Sequence, residues 1–162
     1  MIGHVLVVCA GNICRSPMAA ALLADRLDSV SVESAGLTAL VGQDADPLAI
    51  SLMSERNLNI RPHRARQLVT WMAAAADLVL VMDRVQKQHL EERFAFLRGR
   101  VYRLGDSLSI SRQSNAGFDI PDPYRRGRAS FEESLNFIDA AVDGWSTRIA
   151  GLSAKTAAPQ AV

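Results

Sequence analysis

A chain of 162 residues, 49% hydrophobic and 22% charged, has the composition of one ordinary globular domain. Its formal charge of +1 gives no global pull toward nucleic acid or membrane. Two cysteines argue against a disulfide scaffold, and no uncharged apolar run reaches spanning length, so a cytoplasmic protein without a membrane span is expected.

In chain order, "HVLVV" (4–8) is a short apolar, β-branched run that predicts a buried strand. The Ala/Leu/Met run from Ser16 to Leu27, with Pro17 near its start, predicts a helix. "VSVES" (30–34) reads as a second strand, followed by a turn at Ala35-Gly36. Asp46 as N-cap and Pro47 at the first helical position open a helix to about Asn57. "DLVLVM" (77–82) is a third strand. Asp83 and Gln86 then form a capping-box pair for a helix through Phe94 and Leu97.

"VYRL" (101–104) predicts a fourth strand. From Gly105 to Arg128 there is no periodicity, and such long loops in compact domains are usually functional or disordered. Ser130 and Glu133 form another capping box. Behind it Phe131, Leu135, Ile138, Val142, Trp145 and Ile149 mark one buried face of a final helix. The tail 151–162, "GLSAKTAAPQAV", is expected to be disordered, leaving one domain over 1–150. Strands alternating with helices predict an α/β fold of three layers, α/β/α, around a parallel sheet. Ligands of such sheets bind beyond the carboxyl ends of the strands, where Cys9 falls.

The loop "CAGNICRS" (9–16) has the makings of an anion cradle. Gly11 and Asn12 both tolerate left-handed backbone, which lets successive N–H groups point inward. The helix that follows adds its unpaired N–H groups and positive dipole end, and Arg15 supplies a bidentate clamp. A cysteine in such surroundings is favoured as thiolate, the form that attacks phosphorus. No Lys follows the glycine, so a Walker loop is not present. Two Cys and scattered His4, His63 and His89 make a zinc site unattractive, and no metal is expected. Two structural cysteines in a tight turn are the plain alternative.

Beyond these physical hints, "VCAGNICRSPMAAALL" (8–23) resembles the signature of the low-molecular-weight protein tyrosine phosphatases, V-C-x-G-N-x-C-R-S-P after the first strand. "ESAG" (33–36), "HRARQL" (63–68), "LVLVMD" (78–83) and "DPY" (122–124) extend the match over residues 4–150. The resemblance implies a flavodoxin-like fold with a four-stranded parallel sheet, the phosphate loop between first strand and first helix, and no cofactor. It implies that Cys9 attacks phosphorus, Arg15 binds the phosphoryl oxygens, and Asp122 is the general acid and then the base. Asp119 is the competing carboxylate. Ala10, Gly11, Asn12, Ile13, Cys14, Arg15 and Ser16 would bind phosphate. Asn12, Ser16, Ser34 and His63 would hold the loop, and Leu40 and Tyr124 would flank the substrate ring. Cys14 would be either a reversible disulfide partner of Cys9 or a plain buried cysteine.

"ESAGLTALVG" and "DIPDPYRRGR" look closest to bacterial members encoded with exopolysaccharide or capsule export systems. That similarity implies a phosphotyrosine-containing protein as partner, an autophosphorylated bacterial tyrosine kinase, and no nucleic acid. Leu40 and Val41 stand where eukaryotic members often carry an aromatic, which implies a more open rim. An arsenate reductase on the same fold is the nearest rival. It needs further thiols, and "VMDRVQKQHLEER" after the third strand has none. A non-catalytic phosphotyrosine-binding module would require loss of Cys9, Arg15 or the acid, and all three are present.

Overall fold

The computed structural model describes residues 1–107 and 117–156. Four parallel strands, β1 (His4–Cys9), β2 (Ser31–Gly36), β3 (Leu78–Val81) and β4 (Val101–Arg103), form one sheet in the order β2-β1-β3-β4. Val5, Leu6, Val7 and Val8 are all fully buried, which is why this run has no polar alternation: both faces are covered. Period-two geometry sends Val5, Val7 and Cys9 to one apolar cluster and Leu6 and Val8 to the other. Helices α1 (Arg15–Arg26) and α5 (Arg128–Thr156) pack on the first face. Helices α3 (Thr70–Ala75) and α4 (Arg84–Arg93) lie on the second. The expected three-layer α/β/α architecture is the one observed.

Local signals explain most boundaries. Asp46 caps α2 (Pro47–Ser54) by accepting the Leu48 N–H at 2.9 Å, with Pro47 as first helical residue. The chain leaves α2 through Asn57 at φ 60°. Asp83 caps α4 through the Gln86 N–H at 2.8 Å, while the Gln86 side chain reaches back to the Met82 N–H at 2.8 Å. The predicted face of α5 is buried throughout, from Phe131 to Ile149.

Four expectations are corrected. Ser130 does not cap α5, because the helix begins at Arg128, directly after Gly127 at φ 84°. Ala35-Gly36 is strand rather than turn. Gly36 pairs with Cys9, and a Cβ there would lie 2.5 Å from the Ala10 carbonyl oxygen. The fourth helix ends at Arg93 and is followed by a 3-10 turn at Ala95–Leu97; a second 3-10 turn, Leu104–Ser107, opens the predicted loop. Helix α5 continues past residue 150 to Thr156, and residues 157–162 lie outside the described residues. No helix among the described residues is long and apolar enough to cross a membrane.

Candidate active site

The strand order places β1 between β2 and β3, the point where the chain's winding reverses, and the loop after β1 opens there. Asn12 alone takes the left-handed turn of that loop, at φ 58°. Gly11 does not, so the conformational demand anticipated for both residues falls on the asparagine. Every polar group of Asn12 is used although the residue is fully buried. Its Nδ2 donates to Ser16 Oγ at 2.8 Å and Ser34 Oγ at 3.0 Å, and its Oδ1 accepts the Arg66 N–H at 2.9 Å. Its N–H donates to Cys9 Sγ at 3.3 Å.

The Asn12 carbonyl accepts from His63 Nε2 at 2.6 Å, which puts the imidazole hydrogen on that nitrogen. Burial lowers the His63 pKa below its ordinary 6.5, and Arg66 and Arg64 lower it further against the opposing pull of the Asn12 carbonyl. The ring is therefore neutral at neutral pH. Ser16 Oγ lies 2.9 Å from Cys9 Sγ. With a lone pair of that oxygen occupied by Asn12, its hydrogen can serve the sulfur. Asn12, Ser16, Ser34 and His63 are thus joined in one hydrogen-bonded cluster.

The two thiols differ. Cys14 is buried, and burial pushes its thiol far up, helped by the negative fields of Asp46, Cys9 and Asp122 and only partly opposed by Arg15. It stays protonated and is no rival nucleophile. Cys9 is the sulfur that receives hydrogen bonds at the floor of a pocket of about 240 Å³. The loop residues from Ala10 to Arg15, except Asn12, line that pocket, and Thr38, Leu40, Asp122 and Tyr124 complete it. A larger groove of about 1080 Å³ shares Ile13 and Tyr124 with the pocket but contains none of Cys9, Arg15 or Asp122.

Arg15 is only 4% exposed. Its Nη1 donates to the Ile120 carbonyl at 2.9 Å and lies 3.9 Å from Asp83 Oδ2, while Nη2 lies 3.6 Å from Asp122 Oδ2. Asp122 has a 54% exposed side chain at the pocket mouth, its Oδ1 accepting the Tyr124 N–H at 3.1 Å. Asp119 faces elsewhere, toward Arg103 Nη1 at 2.9 Å and the Arg84 N–H at 3.1 Å. Between the two carboxylates, only Asp122 enters the pocket.

Sequence reasoning missed several supporting residues. Arg66 ties Asn12 to the Ser34 carbonyl, with Nε donating at 2.9 Å, and pairs with Glu33 at 3.0 Å. Gln67 brackets the 37–39 segment, accepting from the Ala39 N–H and donating to the Leu37 carbonyl. Both lie in "HRARQL", from which only His63 was singled out. Asp83 was read as a cap alone, yet its second oxygen faces Arg15.

A buried guanidinium, a sulfur floor and the Asn12 N–H aimed at that sulfur suit a phosphate group, and the class of protein they define is a phosphomonoester hydrolase. The comparisons make this specific. Residues 4–156 match the model of the low molecular weight phosphotyrosine protein phosphatases, and the chain belongs to that family of protein-tyrosine-phosphatases. It is 48% identical over 152 residues to a Ralstonia nicotianae protein named "Probable low molecular weight protein-tyrosine-phosphatase EpsP", covering 94% of this chain and 99% of that one. It is 38% identical over 146 residues to the low molecular weight protein-tyrosine-phosphatase Wzb of Escherichia coli, covering 90% and 95%. Among solved structures, Vibrio vulnificus Wzb with benzylphosphonate matches with TM-score 0.84 at 32% identity, covering 91% and 99%. The YwlE arginine phosphatase of Geobacillus stearothermophilus matches with TM-score 0.88 at 28% identity, covering 98% and 99%.

Proposed function

We propose that the protein hydrolyses phosphotyrosine through a phosphoryl intermediate on Cys9. In the first step the Cys9 thiolate forms an S–P bond as the P–O bond to tyrosine breaks. Asp122, protonated, gives its proton to the departing phenolate oxygen. In the second step Asp122, now ionised, takes a proton from water as the water oxygen attacks phosphorus, and the S–P bond breaks to restore the thiolate. Arg15 and the loop N–H groups hold the non-bridging oxygens as their charge shifts in both transition states. The observation that carries this reading is the single pocket in which a hydrogen-bonded sulfur, a buried guanidinium and a half-exposed carboxylate face one another.

Leu40 and Tyr124 offer apolar flanks for an aryl ring. The partner in this reading is a phosphotyrosine-bearing tyrosine kinase of a bacterial exopolysaccharide or capsule export system, dephosphorylated in the cytoplasm. Support for it comes from the loops "ESAGLTALVG" and "DIPDPYRRGR" rather than from catalytic residues. Phosphoarginine is the second reading, favoured by the YwlE likeness. Relative kcat/KM on phosphotyrosine and phosphoarginine peptides separates the two.

Substitution kinetics test the mechanism. Cys9→Ser should abolish turnover of phosphotyrosine and of p-nitrophenyl phosphate alike. Asp122→Ala should lower kcat/KM for phosphotyrosine by about 100-fold, in line with a general-acid contribution, and for p-nitrophenyl phosphate far less. Equal losses on the two substrates would remove Asp122 from the acid role, and surviving activity in Cys9→Ser would remove Cys9 as nucleophile.

A further inference from the structure

Asp122 sits on a stiff segment whose placement is decided upstream. Pro121 and Pro123 flank it, each fixing its own φ near about −65° and restricting the residue before it. The stretch from Ile120 to Pro123 therefore takes its aim from the point where it is anchored. Ile120 is that point: its N–H donates to the Met82 carbonyl at 2.8 Å, its carbonyl accepts from Arg15, and its side chain is buried.

One residue earlier stands Asp119, outside the pocket but held. Its Oδ1 accepts from Arg103 Nη1 at 2.9 Å and from the N–H of Arg84, the first residue of α4, at 3.1 Å. Arg103 is the last residue of β4, and its side chain is 11% exposed. Its other guanidinium edge is occupied by Asp106 Oδ1, at 3.0 Å from Nε and 2.8 Å from Nη2. One planar fork thus joins the strand end, the 3-10 turn after it and the segment that carries the acid.

The backbone is shaped to allow this. A Cβ on Gly117 would come within 2.0 Å of Asp106 Oδ1 and 2.5 Å of Arg103 Nη2, and one on Gly105 within 2.1 Å of the Phe118 carbonyl oxygen. Bare backbone at both positions lets residues 117–119 lie directly on the ion-paired arginine.

We propose that Arg103 is a positioning residue for the general acid, fixing through Asp119 the end of the stiff segment from which Asp122 reaches the leaving oxygen. The proposal rests on the acid role given to Asp122 above. Arg103 touches neither phosphate nor leaving group, so its loss should impair proton delivery while sparing phosphate binding.

The test compares kcat/KM for phosphotyrosine, whose leaving group needs the proton, with p-nitrophenyl phosphate, whose leaving group does not. Arg103→Met and Asp119→Ala should each lower the first by about tenfold, a fraction of a full general-acid contribution, and leave the second within about twofold. Inhibition by inorganic phosphate should be unchanged. Arg103→Lys, which keeps the charge but cannot span both carboxylates, should recover part of the loss. Asp119→Ala removes a half-exposed side chain, so it reads the clamp even if the buried Arg103→Met substitution unfolds the protein. In an Asp122→Ala background, Asp119→Ala should add nothing. Equal losses on both substrates, or a further loss in that background, overturn the proposal. If Asp122→Ala is leaving-group sensitive and the Arg103 and Asp119 variants are not, only the positioning role fails. If Asp122→Ala itself falls equally on both substrates, the acid assignment fails and this proposal with it.

Discussion

Asn12 is fully buried and spends its backbone N–H and carbonyl and both ends of its side-chain amide on five partners. Asp122, at the mouth of the same pocket, is half-exposed and is held by the Tyr124 N–H and the flank of Arg15. The difference follows from what each must do. In the proposed mechanism the loop keeps one shape, because its donors are useful only if already aimed at the anion. The proposed acid, Asp122, would gain and lose a proton in each cycle and let a substrate and then water pass it. Rigidity therefore sits in the loop, while the acid segment borrows its order from Ile120 and Asp119.

The sharpest way to break this contrast is to truncate both residues. Asn12→Ala leaves buried partners unpaired and removes the side-chain hydrogen bonds that hold this residue at φ 58°, so it should cost about 3–4 kcal/mol. Asp122→Ala, near the surface, should change stability by only about 0.5 kcal/mol. Urea denaturation of the two variants checks this. Similar losses would mean that the loop and the acid segment are equally woven into the fold.

A smaller effect is expected at Tyr124, the proposed flank of the substrate ring. Tyr124 is 38% exposed, with the Arg125 guanidinium 5.1 Å from its ring centre. Tyr124→Ala should raise KM for a phosphotyrosine peptide about three- to tenfold, the worth of one aromatic contact, without altering inhibition by inorganic phosphate. A parallel change in phosphate inhibition would instead assign Tyr124 to the anion site.

How much of this was readable in advance depended on how local each signal was. Asp46, Pro47 and Asp83 act within a few residues, and their caps fall where the sequence put them. Cys9, Arg15 and Ser16 lie on one loop whose resemblance to a known signature carries the geometry with it. Helix α3 went unnoticed because it has six residues and begins after Val69, which supplies no side-chain cap. Arg103 gave no signal at all. Its partners lie at 106 and 119, and only folding brings the 117–119 backbone against it. The left-handed residue was shared between Gly11 and Asn12 for a similar reason: propensity favours the glycine, and tertiary hydrogen bonds choose the asparagine.

The smallest effect is a pH dependence of stability. The folded His63 pKa lies below its ordinary value of 6.5, so between the two values the unfolded chain binds a proton that the native ring does not. Stability should accordingly fall as pH drops below about 6.5 and level off once the native ring also protonates. His63→Gln keeps a donor for the Asn12 carbonyl and should flatten the melting temperature over that window. An unchanged slope in the variant would show that His63 is not the group responsible.

The central claim, that phosphoryl transfer passes through Cys9 and not Cys14, is tested most directly on the enzyme in mid-turnover. Asp122→Ala, supplied with p-nitrophenyl phosphate, whose leaving group needs no proton, and rapidly quenched, should yield a peptide whose fragmentation places the phosphoryl group on Cys9. Phosphate found on Cys14, or p-nitrophenol released with Cys9 unmodified at every quench time, would contradict the account.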